Sequence, residues 1–310
     1  MGNGAVGLVR RAEREGDTRQ LAVKFLAPDP KYIDEGAFDD VTARFRREGE
    51  RGSKLDFYSF LRIHAYCENA NGVAFEAGYP KNPFLLMERA TGGTLEDFIR
   101  RLGSPGRNQL VLDETRLRIA IQIAEALEHL HRHHIVHRDV KPANVFLSSR
   151  LTENRSVLAK LGDFGVVKWG DFQRSVATGT LTATIQKGLG TMKYMSPEQA
   201  LTPKEVSPQS DTFSFGITLF ELFTGQILPS FHHVYQLMAV RDTHGTTMSR
   251  WNEVGVRIAP QDEGISELIL EMLRRGVTRR PSLAKVRGHL TWEFERRFDK
   301  EWSRADGSFA

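Results

Sequence analysis

The residues able to do chemistry fall into a few short clusters. His137-Arg138-Asp139 is followed by Lys141 and Asn144 in the run HRDVKPAN, and nineteen residues beyond Asn144 stands Asp163-Phe164-Gly165. A carboxylate and an amide five residues apart in one loop can face a single reacting group, and a second carboxylate can hold a divalent cation, because hard cations take oxygen ligands. Either triplet alone reads equally well as a surface turn with a solvated aspartate. Their joint occurrence in this order, with Pro142 restricting the loop, leaves that reading little room. Upstream, Gly2, Gly4 and Gly7 form G-x-G-x-x-G ahead of Val9. Glycines there let backbone N–H groups approach phosphate oxygens, although a glycine-rich turn without function explains the pattern as well. No strand precedes it, which argues against a dinucleotide fold. Lys24 sits inside the apolar run LAVKFL, with Val23 and Phe25 pointing to the opposite face.

These clusters need elements to hold them. Residues 21–26, 60–66 and 84–88 read as strands, with turn chemistry at Asn71-Gly72, Gly78 and Pro80. Residues 38–55 are charged and loosely helical, and Gly49 and Gly52 are expected to weaken that helix by roughly 1 kcal/mol each relative to Ala. Thr94, with Asp97 three residues on, predicts a capped helix. Residues 114–134 give the clearest helical period, through Leu117, Ile121, Ala124 and Leu127. Residues 211–224 are apolar on nearly every side, as in a helix buried in a large core. Two amphipathic helices follow at 265–275 and 282–289, and the pattern is lost after Trp292.

Composition narrows the class. The 310 residues, 40% hydrophobic and 26% charged, suffice for a buried core in two domains or one bilobal unit. A net charge of +4 (43 Lys+Arg less 39 Asp+Glu) is too small to argue for nucleic acid or an acidic membrane surface. A single cysteine, Cys67, excludes an internal disulfide and favours a reducing compartment. The first residues carry no basic stretch followed by an apolar one, and Val6 stands where a myristoylation signal has Ser or Thr. The most apolar window, Phe213 to Phe223, is shorter than the ~20 residues of a membrane span and contains Glu221. A soluble, cytoplasmic chain is the expectation.

Together the motifs resemble a eukaryotic-type Ser/Thr protein kinase catalytic domain over residues 2 to 290, closest in pattern to bacterial Ser/Thr kinases. Ala22-Val23-Lys24 resembles the strand-lysine motif, Glu48 the helix glutamate, and Ser196-Pro197-Glu198 the family's Ala-Pro-Glu. Asp211 opens the buried helix as in the family, and Arg280 resembles the late arginine that pairs with Glu198. Lys141 marks the Ser/Thr form of the catalytic loop, and GTMKYMSPEQA, residues 190–200, the bacterial form of the activation segment.

The resemblance implies an α+β, bilobal fold, with a small β-rich N-lobe over 1–88, a larger α-helical C-lobe over 89–290 and a tail over 291–310. It implies ATP and Mg²⁺ as cofactors and protein Ser/Thr hydroxyls as substrates, with no nucleic-acid partner and no membrane segment. Gly2, Gly4 and Gly7 would cover the phosphates. Lys24, aimed by Glu48, would contact them, and Asn144 and Asp163 would hold the metal. Asp139 would orient the substrate hydroxyl, Lys141 would steady the γ-phosphate and Thr191 would bridge to this loop. Met87 would guard the adenine pocket, the backbone of Glu88 and Ala90 would meet the base edge, and Val9, Ala22 and Phe146 would sandwich the ring. His137 reads as a packing residue beneath Phe164. The hydroxyl-rich segment from Asp163 to Glu198 implies autophosphorylation at Thr182 and Thr184, ahead of Thr180, with Arg138 as the pairing cation and a dimer as the route in trans.

Two departures stand out. The strand that leads into the glycine-rich loop in this family is absent, and Gly52 replaces the large apolar residue expected near Phe164, which predicts an under-packed helix and a less secure Lys24–Glu48 pair. A catalytically weak or dead kinase-like binding module is therefore the alternative. The intact Lys24, Asp139, Asn144 and Asp163 favour the enzyme, and the SPE run disfavours a small-molecule kinase of similar fold.

Overall fold

The structure is a computed structural model and describes residues 7–14, 17–26, 38–68, 83–102, 109–149, 157–164, 168–169, 193–202, 205–226 and 262–303. Gly2, Gly4, Thr180, Thr182, Thr184 and Thr191 lie outside the described residues.

Alternating apolar residues build the first half. Strands β1 (Gly7–Arg14), β2 (Asp17–Leu26), β3 (Ile63–Cys67) and β4 (Phe84–Glu88) form an antiparallel sheet in the order β1-β2-β4-β3. Val9 stands opposite Lys24, Lys24 opposite Leu85, and Ala22 opposite Met87. The two-residue side-chain period then sorts the faces. Ala22, Leu26, Leu85 and Met87 join the main core, with Val9 packed against it, while Val23, Phe25 and Phe84 form a separate cluster on the other face. Among the described residues the free edge of β1 carries no further strand.

Helix α1 (Phe38–Gly52) packs its Phe45 and Glu48 inward and contacts β3. The strand expected from residue 60 starts at Ile63, because residues 57–61 turn away from the sheet. Phe60 pairs as an isolated bridge with Leu161, and Leu61 donates its N–H to the Leu161 carbonyl.

The helical half opens with α2 (Leu95–Arg101), where Thr94 and Asp97 form the expected capping box. Helix α3 (Gln109–Arg132) starts earlier than its period indicated and buries Leu117, Ile121, Ala124 and Leu127 completely. Short strands β5 (Ile135–Val136), β6 (Val145–Leu147), β7 (Ala159–Leu161) and β8 (Lys168–Trp169) pair as β5-β8 and β6-β7. Then come α4 (Pro197–Leu201), α5 (Pro208–Thr224), α6 (Glu263–Met272) and α7 (Leu283–Phe298). Helix α5 is buried at every position from Ser210 to Phe223. Helix α7 outruns its sequence reading: the pattern predicted a helix over 282–289, and the helix runs on to Phe298. Leu283, Val286, Leu290 and Phe294 hold the helical period on its buried face, while the charges and an exposed Trp292 obscure it from outside.

Candidate active site

The reacting loop is held from beneath by a buried carboxylate. Asp211, in the first turn of α5, is fully inaccessible to solvent and accepts the N–H of His137 and of Arg138, each at 2.8 Å, and the ring of His131 at 2.8 Å. Gln199 of α4 donates to the Arg138 carbonyl at 2.9 Å. These bonds stabilise a left-handed φ of +70° at Arg138, a conformation that an L-residue with a long side chain seldom adopts unaided. The constraint delivers Asp139. Lys141 Nζ donates to its Oδ2 at 2.8 Å, and Asn144 Nδ2 donates both to that oxygen and to the Asp139 carbonyl, each at 2.8 Å. The spacing of five residues works because a 3-10 turn over Pro142–Asn144 folds Asn144 back onto Asp139.

The second set assembles from both halves of the chain. Lys24 Nζ lies 2.8 and 3.0 Å from the two Glu48 oxygens and 3.4 Å from Asp163 Oδ1. Burial works against the Lys24 charge, but the Asp163 and Glu48 carboxylates outweigh it and hold the ammonium well above the usual lysine range. Burial pushes the Glu48 carboxyl up, partly offset by Lys24. Lys24, with smaller help from Lys141, holds Asp163 below the usual aspartate range despite burial. Asp163 also has a left-handed φ, +64°.

A stack of side chains joins the two sets. The Phe164 ring lies 5.6 Å from that of Phe60 and 5.6 Å from that of His137, edge-on in both cases. His137 Nδ1 accepts the Asp139 N–H at 3.3 Å, which puts the ring proton on Nε2, where it donates to the Gly162 carbonyl at 3.2 Å. His137 is therefore a packing and orienting residue, in agreement with the sequence reading.

Gly52 departs from expectation. A Cβ on Gly52 would lie 2.7 Å from Ile63 Cδ1 and 3.7 Å from Phe164, so the side chain of Ile63 already occupies that volume. At Gly49 a Cβ would lie 2.6 Å from both Leu85 Cδ2 and Tyr66 Cβ. Both glycines let α1 lie close to the sheet. The expected under-packing does not occur, and the Lys24–Glu48 pair is tight, with Glu48 only 4% exposed.

Five of the residues assigned to the base-binding region, Val9, Ala22, Met87, Ala90 and Phe146, belong to or border the main core. Ala22 and Met87 are buried neighbours across β2 and β4. Val9, Ala90 and Phe146 are half-buried against the same core. Phe146 pairs with Lys160 across β6 and β7. The Glu88 side chain turns toward Lys160 Nζ at 2.8 Å, and its N–H donates to the Arg62 carbonyl at 2.8 Å. Further away, Arg280 meets Glu198 in a bidentate pair at 2.6 and 2.9 Å, as expected, with Ser210 Oγ donating to the same carboxylate at 2.7 Å. Sequence reasoning gave no role to Lys160, Gln199 or Ile63, and saw Asp211 only as the start of a helix. None has a local signature, since each acts on a residue from another segment.

The sequence is similar to those of known proteins. The family model described as protein kinase domain matches residues 1–291. A relative in Streptomyces coelicolor described as a "Probable serine/threonine-protein kinase" is 36% identical over 230 residues, 72% of this chain and 29% of that protein. The serine/threonine-protein kinase PknB of Mycobacterium leprae is 31% identical over 212 residues, 67% of this chain and 29% of that protein. The serine/threonine-protein kinase pkn2 of Myxococcus xanthus is 28% identical over 294 residues, 92% of this chain and 30% of that protein. The chain thus spans under a third of the length of each of these relatives.

Proposed function

The chain belongs to the protein kinase family, and we propose that it is a non-specific Ser/Thr protein kinase that transfers the γ-phosphate of ATP to protein hydroxyls. The bilobal α+β fold of that family is present, and members of the family use ATP and a divalent cation. The observation that carries the reading is the intact Lys24–Glu48–Asp163 cluster beside the Asp139–Lys141–Asn144 loop. A binding module would have no need to hold three charges at such cost in desolvation.

The donor set fits Mg²⁺. Asn144 gives its amide nitrogen to Asp139, which leaves its carbonyl oxygen to face a cation, and Asp163 is held ionised by Lys24. Among the described residues no group of three or more His, Cys, Asp or Glu side chains could hold a metal. Two protein oxygens suit Mg²⁺, which keeps waters and takes phosphate oxygens for the rest of its shell. Bound there, Mg²⁺ would neutralise phosphate charge as the phosphoryl group moves. Lys24, aimed by Glu48, would bind the α/β-phosphates, and Lys141 the γ-phosphate. Asp139 would take the hydrogen bond of the substrate hydroxyl and accept its proton. Gly2, Gly4, Gly7 and Thr191 keep the phosphate-covering and bridging roles implied by resemblance. Met87, Ala22, Val9 and Phe146 would enclose the adenine, with the Glu88 and Ala90 backbone at its edge.

Regulation by autophosphorylation at Thr182, Thr184 and then Thr180, in trans within a dimer, completes the proposal. What supports it is Arg138, which directly precedes Asp139 and whose Nε has no hydrogen-bond partner among the described residues, so a phosphate paired with this guanidinium would satisfy it. Peptide mapping after incubation with ATP and Mg²⁺ should find phosphate on these threonines, and phosphate found only elsewhere refutes this part. No helix among the described residues is long and apolar enough to cross a membrane. The lone Cys67 favours a reducing compartment, and the proposed place of action is the cytoplasm, on protein substrates. In a radiolabelled-ATP assay with a generic protein substrate, Asp139→Asn should lose roughly 10²–10⁴-fold in rate. Equal labelling by both forms would refute the enzyme reading.

A further inference from the structure

Residues 57–60, which join α1 to β3, lie along one face of α3. Ser59 Oγ donates to the Gln122 carbonyl at 3.1 Å, the Tyr58 hydroxyl donates to the Glu125 carboxylate, and Phe57 stacks on His129 with ring centroids 4.4 Å apart. Residues 122, 125 and 129 share that face at helical spacing. The same short segment touches the reaction side. Phe60 packs on Phe164, and the Leu161 N–H donates to the Ser59 carbonyl at 2.8 Å, two residues before Asp163.

Glu125 is 3% exposed, and its other oxygen is approached from the far end of the chain. The chain leaves α7 at Asp299 through a left-handed φ of +50° and doubles back. Lys300 Nζ reaches Glu114 of α3 at 2.7 Å, and the Trp302 N–H reaches Glu295 at 3.1 Å. Trp302, 4% exposed, packs edge-on against Phe294 at 5.3 Å and lies over the Arg118 guanidinium at 5.6 Å. Its Nε1–H points at Glu125 Oε1 at 3.5 Å, while Tyr58 holds Oε2. A buried carboxylate that loses a donor is held less firmly, because each hydrogen bond lost in a buried place is costly.

We propose that Trp302 is a positioning residue of the catalytic centre: it fixes Glu125, Glu125 fixes Tyr58, and the 57–60 segment thereby sets Glu48 on α1 and Phe164 at the site. The kinetic arm of the test rests on the kinase reading, and the exchange arm does not. Trp302→Phe keeps ring packing and removes the N–H, and Tyr58→Phe removes the other donor. Well below the unfolding temperature, Trp302→Phe in the full chain should speed amide exchange over 38–61 by about fivefold while leaving α5 unchanged. It should also raise the KM for ATP about threefold, since Lys24 is aimed by Glu48. The double variant should be no worse than the more affected single one, because both act through one carboxylate. Faster exchange confined to α7 and α3, with α1 protected and the KM for ATP unchanged, would make Trp302 a packing residue only and overturn the proposal. Additive effects in the double variant would overturn it as well. A wild type without phosphotransfer would refute the kinase reading, and the exchange pattern would still decide this one.

Discussion

Gly49→Ala tests how closely α1 must approach the sheet. The new Cβ would fall 2.6 Å from Leu85 Cδ2 and from Tyr66 Cβ, and 2.9 Å from Tyr66 Cδ2. Carbon atoms rest at roughly 3.5–4.0 Å, so something must yield by about 1 Å. Leu85 is fully buried in a central strand, and a Cβ cannot rotate away, so the helix moves. Glu48, the preceding residue, moves with it, and a displacement of about 1 Å would stretch its 2.8 Å bond to Lys24 beyond hydrogen-bonding range. Overpacking costs roughly 1–3 kcal/mol, while Ala in place of Gly returns about 1 kcal/mol of helix propensity. Stability should therefore fall by no more than about 2 kcal/mol. Misplacement by about 1 Å at a positioning group can lower turnover about 100-fold. The assay is kcat/KM for ATP alongside calorimetric Tm. Gly288→Ala is the control: it lies exposed on α7 with nothing within 4 Å of a new Cβ, and it should raise Tm by about 2–3 °C with activity unchanged. Wild-type activity in Gly49→Ala would refute the claim that close approach of α1 sets the Lys24–Glu48 pair.

Three further outcomes follow from the same geometry. Burial raises the Glu48 carboxyl above the ordinary glutamate value of 4.5 while Lys24 holds Asp163 below 3.8, so on acidification Glu48 protonates first. The acid limb of kcat/KM should show an apparent pKa above 4.5, and Glu48→Gln should abolish that limb along with most of the activity; an unchanged limb in Glu48→Gln would assign it elsewhere. Arg280→Ala leaves the Glu198 carboxylate buried without its bidentate partner and should destabilise by about 3–5 kcal/mol in chemical unfolding, with Arg280→Lys recovering only part. Asp211→Asn replaces an acceptor that holds three donors and should cost roughly 1.5–3 kcal/mol. Its loss of kcat should exceed any change in KM for ATP, because the altered loop carries Asp139 and not Lys24, the residue proposed to bind the phosphates.

Several parts of the site were legible in the chain because their signals are local. The alternation in LAVKFL placed Lys24 on the face opposite Val23 and Phe25, and the sheet sorts them that way. Thr94 and Asp97 form their cap within four residues. The Asp139–Asn144 spacing closes within one loop. Gly49 and Gly52, read as weak points of a helix, proved to be positions where any side chain would collide with the sheet, a property of neighbours contributed by Ile63, Tyr66 and Leu85. The end of α7 was misread because its inward face shows only against α3.

By itself, then, the sequence determined the existence of β2, β4, α2, α3 and α5 and which residues carry charge at the reacting loop, since period, caps and short motifs act within a few residues. Tertiary structure alone decided how those charges meet: Lys24 reaches Asp163 across 139 residues, Asp211 grips a loop more than 70 residues upstream, and Trp302 reaches Glu125 across 177. The reason is physical. Burial makes an unpaired charge or donor expensive, so each finds a partner, but that partner is chosen by packing in space and leaves no mark on its neighbours in the chain.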